Sequence, residues 1–216
     1  MSAESNSNVP CDFKADLSSR MEGLSAPIQV AFSSCTIPAP HFSDPSAPFL
    51  SIGASLVSSD YLLPELRFKG NAYGAGLTYK RDASLLNFWS YRDPHIAETV
   101  DTYRHAIDFV RKADWSQETI DNGILTIVKG TEAPFRPNET SAIAANRELL
   151  GLTDEQRLAW RKAVLSATPE KVKKAILDAL EEGMPHASVA VVASEEMLRD
   201  AQKTLGDFPI TPVLGK

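Results

Sequence analysis

Two apolar runs in the middle of the chain alternate with polar residues in the way that β-strands do. The first run reads A-Y-G-A-G-L-T-Y-K, the second reads L-L-N-F-W-S-Y-R-D, and the polar turn R-D-A at 81–83 joins them. A period of two in both runs predicts an antiparallel hairpin. Gly70, Gly74 and Gly76 crowd the first strand and indicate a bulge, or a place where another backbone comes close.

Apolar residues at spacings of three and four predict helices on both sides of this hairpin. Two short helical segments, 47–57 and 59–66, precede it. The helices after it are predicted to begin at Asp93-Pro94, Ser116, Ala142, Thr153, Thr168-Pro169 and Ser194. Thr153 and Gln156 have the spacing of a capping box, whereas residues 132–137 break the helical pattern. Positions predicted to face the core after the hairpin include Ile96, Val100, Tyr103, Ile107, Val110, Leu158, Val164 and Leu165.

Two further strands complete the predicted fold. They read I-Q-V-A-F at 28–32 and S-V-A-V-V-A at 188–193. Strands and helices that come in runs favour an α+β fold, in which helices cover one antiparallel-rich sheet. Residues 1–25 show little periodicity and are interpreted as a flexible leader or linker, so that one domain spans 26–216. Four prolines within 36–48 exclude regular structure over most of that segment.

Composition narrows the class of protein. Of 216 residues, 43% are apolar and 23% are charged, which is typical of a soluble globular protein. No run reaches the roughly 18 to 20 apolar residues of a membrane-spanning helix. A net charge of -6 argues against nucleic-acid binding and suits cationic peptide ligands. The first residues lack the pattern of a signal peptide, which predicts a cytoplasmic or organelle-matrix location.

The chain has no recognisable metal, nucleophile or nucleotide motif. None of the four histidines belongs to H-E-x-x-H or H-x-x-E-H, and the nearest approach, His95 with Glu98, has Thr99 where a second ligand would stand. Two cysteines, Cys11 and Cys35, are too few for a four-ligand site or a disulfide framework. G-x-S-x-G and Walker loops are missing too. We therefore expect no metal or cofactor site in this chain.

The polar pair Arg67 and Tyr73 flanks the glycine-rich start of the hairpin. Together they offer one permanent cation and one phenol hydroxyl beside a strand edge that an extended peptide could join. On chemistry alone such a pair is more often a salt bridge and an aromatic residue at the edge of the core.

Several motifs occur in order and at consistent intervals from about residue 26 to the end. They read I-P-A-P-H-F-S-D-P-S-A-P-F-L, R-F-K-G-N-A-Y-G-A-G, S-Y-R-D-P, G-T-E-A-P and L-T-D-E-Q-R. In this arrangement the chain resembles the carboxy-terminal part of presequence proteases, a branch of the pitrilysin or insulinase family of zinc metallopeptidases. The resemblance implies one unit of the fold shared by pitrilysin and mitochondrial processing peptidase.

The resemblance also implies roles for particular residues. In that family four similar units in two halves close around a peptide, and the first unit carries the inverted zinc motif. The last unit, which this chain resembles, contributes an Arg and a Tyr. By position these are Arg67 and Tyr73, which would act as accessory groups that bind the substrate carbonyl and stabilise the oxyanion. Asn71 departs from the family's usual glycine, and Arg92 and Asp93 are expected to hold the end of the hairpin.

The function implied is that of the C-terminal, substrate-contacting unit of a zinc metalloendopeptidase that degrades short unfolded peptides. Such a unit would be inactive alone, because zinc is expected on an N-terminal catalytic half or on a separate zinc-bearing subunit. The alternative is a stand-alone non-catalytic subunit or peptide-binding module of the same fold, since a fold by itself does not imply turnover.

Overall fold

The computed structural model describes residues 20–131 and 136–213. Within these ranges six strands form one sheet in the order β3-β4-β2-β5-β1-β6. The strands are β1 (Arg20–Ser25), β2 (Ala31–Pro38), β3 (Gly74–Lys80), β4 (Leu85–Asp93), β5 (Ser188–Ala193) and β6 (Ile210–Pro212). Pairing is antiparallel from β3 through β4 and β2 to β5, and parallel from β5 through β1 to β6. The expected antiparallel-rich α+β sheet is confirmed.

Helices fill the connections between the strands. They are α1 (Ala47–Val57), a π-helix (Ser58–Lys69), α2 (Ala97–Arg104), α3 (Ala106–Lys112), α4 (Gln117–Thr131), α5 (Pro137–Leu149), α6 (Asp154–Leu165), α7 (Pro169–Gly183), a 3₁₀ turn (Met184–His186) and α8 (Glu195–Leu205). The predicted capping box is present, because the Gln156 amide donates to Thr153 Oγ1 at 3.2 Å and the Thr153 amide donates to Gln156 Oε1 at 2.9 Å. Among the described helices, none is long and apolar enough to cross a membrane.

The core lies between one face of the sheet and the helices. Alternate strand residues such as Cys35, Ile37, Leu86, Phe88 and Val191 are buried there. The intervening residues of β2 and β5 are half-buried on the other face. Helices α1 and α7 pack closely where Gly53 meets Ile176, since a Cβ on Gly53 would lie 2.7 Å from Ile176 Cβ.

Some predicted elements need correction. Arg20–Ser25, placed in the leader, is a strand that lies between β5 and β6. Strand β6 was not predicted, and the strand predicted at 28–32 begins at Ala31 and continues to Pro38. Residues 1–19 and 132–135, which include most of the predicted leader and most of the predicted break after α4, lie outside the described residues.

The predicted core positions are mostly right, with exceptions on α6. Ile96, Val100, Tyr103, Val110 and Val164 are buried and Ile107 is half-buried. Leu158 and Leu165 are each 57% exposed, however, so their predicted inward orientation is wrong. Spacing alone places both among the apolar positions of α6, but the described part of the chain leaves more than half of each residue uncovered.

Candidate active-site surface

Arg67 is carried by the last turn of the π-helix that continues directly from α1. Leu62 and Leu66 are buried on one side of this helix, while Arg67 is exposed on the other. The helix ends at Gly70, whose amide donates to Glu65 O at 3.0 Å. A Cβ on Gly70 would lie 2.7 Å from Leu66 O, so the tight end of the helix requires glycine. Segments of π-helix are rare and are often found at functional sites.

Asn71 reverses the chain between the π-helix and β3. Its φ of 61° is in the left-handed region, which asparagine tolerates better than most residues. The Ala72 amide then donates to Leu66 O at 2.9 Å, and the Tyr73 amide donates to Tyr91 O at 3.1 Å. Tyr73 is therefore anchored to the far strand of the hairpin, one residue before β3 begins.

Arg67 and Tyr73 line the same concave surface, a pocket of about 490 Å³ that we call the Arg67–Tyr73 pocket. Its walls include Gly74, Gly76, Thr78, Trp89 and Tyr91. The Tyr73 side chain is 66% exposed. Within the described residues Arg67 has no ion pair and the Tyr73 hydroxyl has no hydrogen bond, so both groups are free to donate to a ligand. The structure thus brings the two predicted residues together at one surface.

Aromatic rings form one wall of this pocket. The ring of Tyr91 is 5.6 Å from that of Tyr73 and 5.2 Å from that of Phe32, both edge-on. The guanidinium of Arg92 lies 6.0 Å from the Tyr73 ring centroid. These contacts restrict the orientation of the Tyr73 ring, and sequence reasoning missed the contribution of Phe32 and Tyr91.

Gly74 and Gly76 of β3 make room for the Trp89 side chain and do not form a bulge. The β3–β4 register continues without a shift, and the irregularity in β4 lies opposite Ala31 and Ser33 of β2. A Cβ on Gly74 would lie 3.5 Å from the Trp89 ring, because the indole covers both glycines. The predicted bulge in β3 is therefore wrong. At Gly74 and Gly76 the close approach comes from an indole, whereas at Gly70 it comes from the backbone of Leu66.

The outer edge of β3 is partly occupied by the protein itself. Ser58 Oγ accepts a hydrogen bond from the Leu77 amide at 2.7 Å. Its single proton is shared between two acceptors, Leu77 O at 3.0 Å and Ala54 O at 2.9 Å. In an antiparallel ladder alternate residues direct their backbone groups outward, so the groups of Ala75 face the same side as those of Leu77. Ala75 is only 3% exposed. A peptide would therefore contact the pocket and not pair with β3 at these positions.

The end of the hairpin is held by Arg92 and Asp93. Arg92 has a φ of 50°, and the buried carboxylate of Asp93 follows it. Asp93 Oδ1 accepts from the His95 amide at 2.9 Å, and Oδ2 accepts from Thr99 Oγ1 at 2.7 Å. Asp93 thus ties the hairpin to the first turn of α2.

Metal and thiol chemistry find no support in the part of the chain that the structure describes. It contains no group of three His, Cys, Asp or Glu side chains that could hold a metal ion. The zinc ion of the resembled family therefore does not fit these residues. Cys35 is buried, and burial raises the pKa of its thiol to about 12, so it is a poor nucleophile.

Several solved structures with the same fold are described as peptidases or peptidase domains. The peptidase M16 inactive domain from Pseudomonas fluorescens superposes with a TM-score of 0.64, covering 82% of this chain and 43% of that chain at 12% identity. Pitrilysin superposes with a TM-score of 0.58, covering 90% of this chain and 22% of that chain at 12% identity. The fold is that of a pitrilysin-like peptidase domain.

Sequence comparison identifies the branch within this class. Residues 30–195 match the family described as the PreP C-terminal domain. The mitochondrial presequence protease of Emericella nidulans is 32% identical over 179 residues, which are 83% of this chain and 17% of that protein. That of Xenopus tropicalis is 28% identical over 188 residues, again 17% of its length. The chain belongs to the PreP C-terminal domain family and spans a small part of these relatives.

Proposed function

We propose that this chain is the C-terminal, substrate-contacting unit of a zinc metalloendopeptidase that degrades short unfolded peptides. The observation that carries the proposal is the placement of Arg67 and Tyr73, two exposed donors from different elements, on one pocket. A guanidinium and a phenol hydroxyl both donate to carbonyl oxygens. Each would therefore contact a backbone carbonyl of the bound peptide.

The same donors are suited to a developing negative charge. When a peptide carbonyl is attacked, its oxygen becomes an oxyanion, and preorganised donors stabilise the oxyanion more than the carbonyl. Removing one such donor typically lowers kcat by about 10²- to 10³-fold. Tyr91 and Arg92 restrict the Tyr73 ring before substrate binds, which lowers the cost of ordering it.

Zinc would be supplied by another unit. The family resemblance assigns the metal to an N-terminal catalytic half of the same enzyme or to a separate zinc-bearing subunit, and the described residues of this chain hold no three-ligand cluster. In isolation this chain would bind peptide without cleaving it. An organelle-matrix location accompanies the proposal, because the curated relatives are named as mitochondrial proteases.

A stand-alone peptide-binding subunit is the second candidate. It is favoured by the pocket itself, which offers an aromatic wall and free donors without needing a metal. The two candidates differ in whether Arg67 and Tyr73 affect turnover or only binding.

The test compares Arg67→Gln and Tyr73→Phe in the assembled enzyme, in which this domain acts with its zinc-bearing half. Lys69→Gln and Tyr91→Phe are matched controls, because Lys69 is an exposed cation of the same helical turn and Tyr91 a phenol of the same pocket. We expect kcat to fall by about 10²- to 10³-fold for the first pair and to change little for the controls. Unchanged kcat with weakened peptide binding would favour the binding subunit.

A second measurement uses the isolated chain with a fluorescent unfolded peptide. We expect saturable binding without hydrolysis. Chelator-sensitive cleavage by the isolated chain would overturn the assignment of zinc to another unit.

A further inference from the structure

A second, larger cavity lies at the opposite end of the hairpin from Tyr91 and Arg92. Its volume is about 1010 Å³, and it is an open cleft lined mainly by residues of the hairpin turn, α5 and α6. None of its lining residues belongs to the Arg67–Tyr73 pocket. Its volume is at the upper end of the range of roughly 300 to 1,000 Å³ in which ligand sites fall. We call it the arginine cavity.

Four arginines from three elements line this cavity: Arg81 in the turn, Arg147 on α5, and Arg157 and Arg161 on α6. Burial lowers the pKa of Arg81, and the charges of Arg147 and Arg157 act in the same direction against the opposing effect of Asp82. Arg157 is paired with Asp154 at 2.6 Å, whereas Arg147 has no ion pair within the described residues. This is a local positive site on a chain whose net charge is -6.

The cavity is also apolar and aromatic. The Arg81 guanidinium lies 4.7 Å from the centroid of the Trp160 ring, and the Trp160 Nε1 group is buried without an acceptor among the described residues. Leu150 and Leu158 line the cavity and are 36% and 57% exposed. Exposed apolar side chains beside unpaired cations are typical of a surface that is covered by a partner.

We propose that the arginine cavity docks an acidic amphipathic segment of polypeptide. Its carboxylates would pair with Arg81 and Arg147, and its apolar side chains would cover Leu150 and Leu158. Arginine binds carboxylates through two parallel hydrogen bonds, which fixes geometry as well as charge. A single small anion would leave the leucines exposed, and a basic segment would be repelled. The inference does not depend on the role of the Arg67–Tyr73 pocket.

The experiment measures binding of labelled peptides to the chain by fluorescence anisotropy. The probes are a short helical-repeat peptide of glutamate and leucine, and its counterpart with lysine in place of glutamate. We expect saturable binding of the acidic peptide alone, weakened by added salt. Arg147→Gln, on an exposed helix, should weaken binding of the acidic peptide by at least about tenfold, because it removes one hydrogen bond between charged groups. Leu158→Ser should also weaken it.

Arg199→Gln is the matched control, because Arg199 is an exposed helical arginine that does not line the cavity. It should bind the acidic peptide like the wild type, and circular dichroism checks that each variant is folded. Equal binding of both peptides, or no effect of Arg147→Gln, would overturn the proposal. The proposal would also be overturned if inorganic phosphate displaced the acidic peptide completely and Leu158→Ser had no effect. That result would identify a site for small anions. A concentration-dependent dimer that Arg147→Gln dissociates would instead identify a second copy as the occupant.

Discussion

The indole ring of Trp89 lies against Gly76 on the neighbouring strand, so closely that a Cβ on Gly76 would be 2.9 Å from Trp89 Cζ2. Trp89 Nε1 donates to Thr78 Oγ1 at 3.1 Å, which keeps the ring flat along β3. The indole can therefore form a wall of the Arg67–Tyr73 pocket only because residue 76 is a glycine and has no side chain. A methyl group at this position would push the ring away from Thr78.

Gly76→Ala is expected to disturb the pocket more than the fold. The displaced ring should reduce peptide binding several-fold, and the overpacking should lower the free energy of unfolding by about 1 kcal/mol. Anisotropy with an unfolded peptide and urea unfolding measure the two effects. Gly130→Ala is the control: among the described residues, apart from its own helix backbone and chain neighbours, no heavy atom lies within 4 Å of its Cβ position. Alanine is also the better helix former, so stability should be unchanged or rise by up to about 1 kcal/mol. Undiminished peptide binding by Gly76→Ala would contradict the role given to Trp89.

Ser58→Ala should destabilise the join between the π-helix and β3. The substitution leaves both backbone groups of Leu77 without a partner at a residue that is 5% exposed. Unsatisfied buried groups cost about 1 to 3 kcal/mol each, so the free energy of unfolding should fall by about 2 kcal/mol. Ser51→Ala is the matched control, because Ser51 Oγ donates only to Ala47 O within its own helix. Equal losses in the two variants, measured by urea unfolding, would show that the link to Leu77 contributes nothing.

Asp93→Ala should cost more than Asp93→Asn. Alanine removes the acceptors of the His95 amide and of Thr99 Oγ1, whereas asparagine keeps one acceptor and offers a donor to the Thr99 hydroxyl. We expect losses of about 3 and about 1 kcal/mol in the free energy of unfolding. Asp178→Ala, which removes an exposed pair with Lys174, should stay within about 0.5 kcal/mol of the wild type. A loss from Asp93→Asn as large as that from Asp93→Ala would argue against this hydrogen-bond account.

Cys35 predicts how stability changes at alkaline pH. Burial raises the pKa of its thiol to about 12 in the folded protein, whereas an unfolded cysteine has a pKa of about 8.5. The unfolded chain therefore loses this proton first. The contribution of the Cys35 thiol to the free energy of unfolding is fully present below about pH 8.5 and is lost as pH rises toward 12.

Cys35→Ala should remove the contribution of this thiol to the pH dependence of the free energy of unfolding. Above pH 9 the free energy of unfolding of the wild type should fall by about 1.4 kcal/mol per pH unit more than that of the variant. Urea unfolding at pH 8, 9.5 and 10.5 gives the change in the free energy of unfolding with pH for each protein. Because only these slopes are compared, the constant loss of stability from the cavity that alanine leaves cancels. Burial also raises the pKa of Tyr61 and Tyr79 to about 12, but both proteins share these groups. Parallel slopes would mean that the folded thiol ionises in its ordinary range.

Local signals in the sequence were sufficient for much of the fold. The Thr153 capping box, the Ser116 and Ser194 caps and the alternation in β3 and β4 depend on neighbours within a few residues, and each was predicted correctly. Arg20–Ser25 lacks clear alternation, since Gly23 is its single buried residue, and it pairs with β5 at the other end of the chain. No local pattern reveals a partner so distant.

The geometry of the candidate site was only partly foreseeable from the sequence, and the roles of its residues stay predictions. Its two residues were named from a resemblance, but their meeting at one pocket depends on the π-helix and on the left-handed Asn71, which hydrophobic periodicity does not signal. Trp89, Tyr91 and Phe32 were missed, because their contacts cross from β3 to β2 through β4. The presence of bulky aromatics opposite two glycines is the signal that could have found Trp89.

The position of β1 between β5 and β6 has a consequence for synthesis on the ribosome. Both neighbours of this strand are translated near the end of the described chain, at Ser188–Ala193 and Ile210–Pro212. While the intervening polypeptide emerges, Arg20–Ser25 lacks both of the strands that it joins in the described sheet. The nascent domain must therefore keep its earliest strand unpaired until its latest strands leave the exit tunnel, a delay typical of pairings between remote segments.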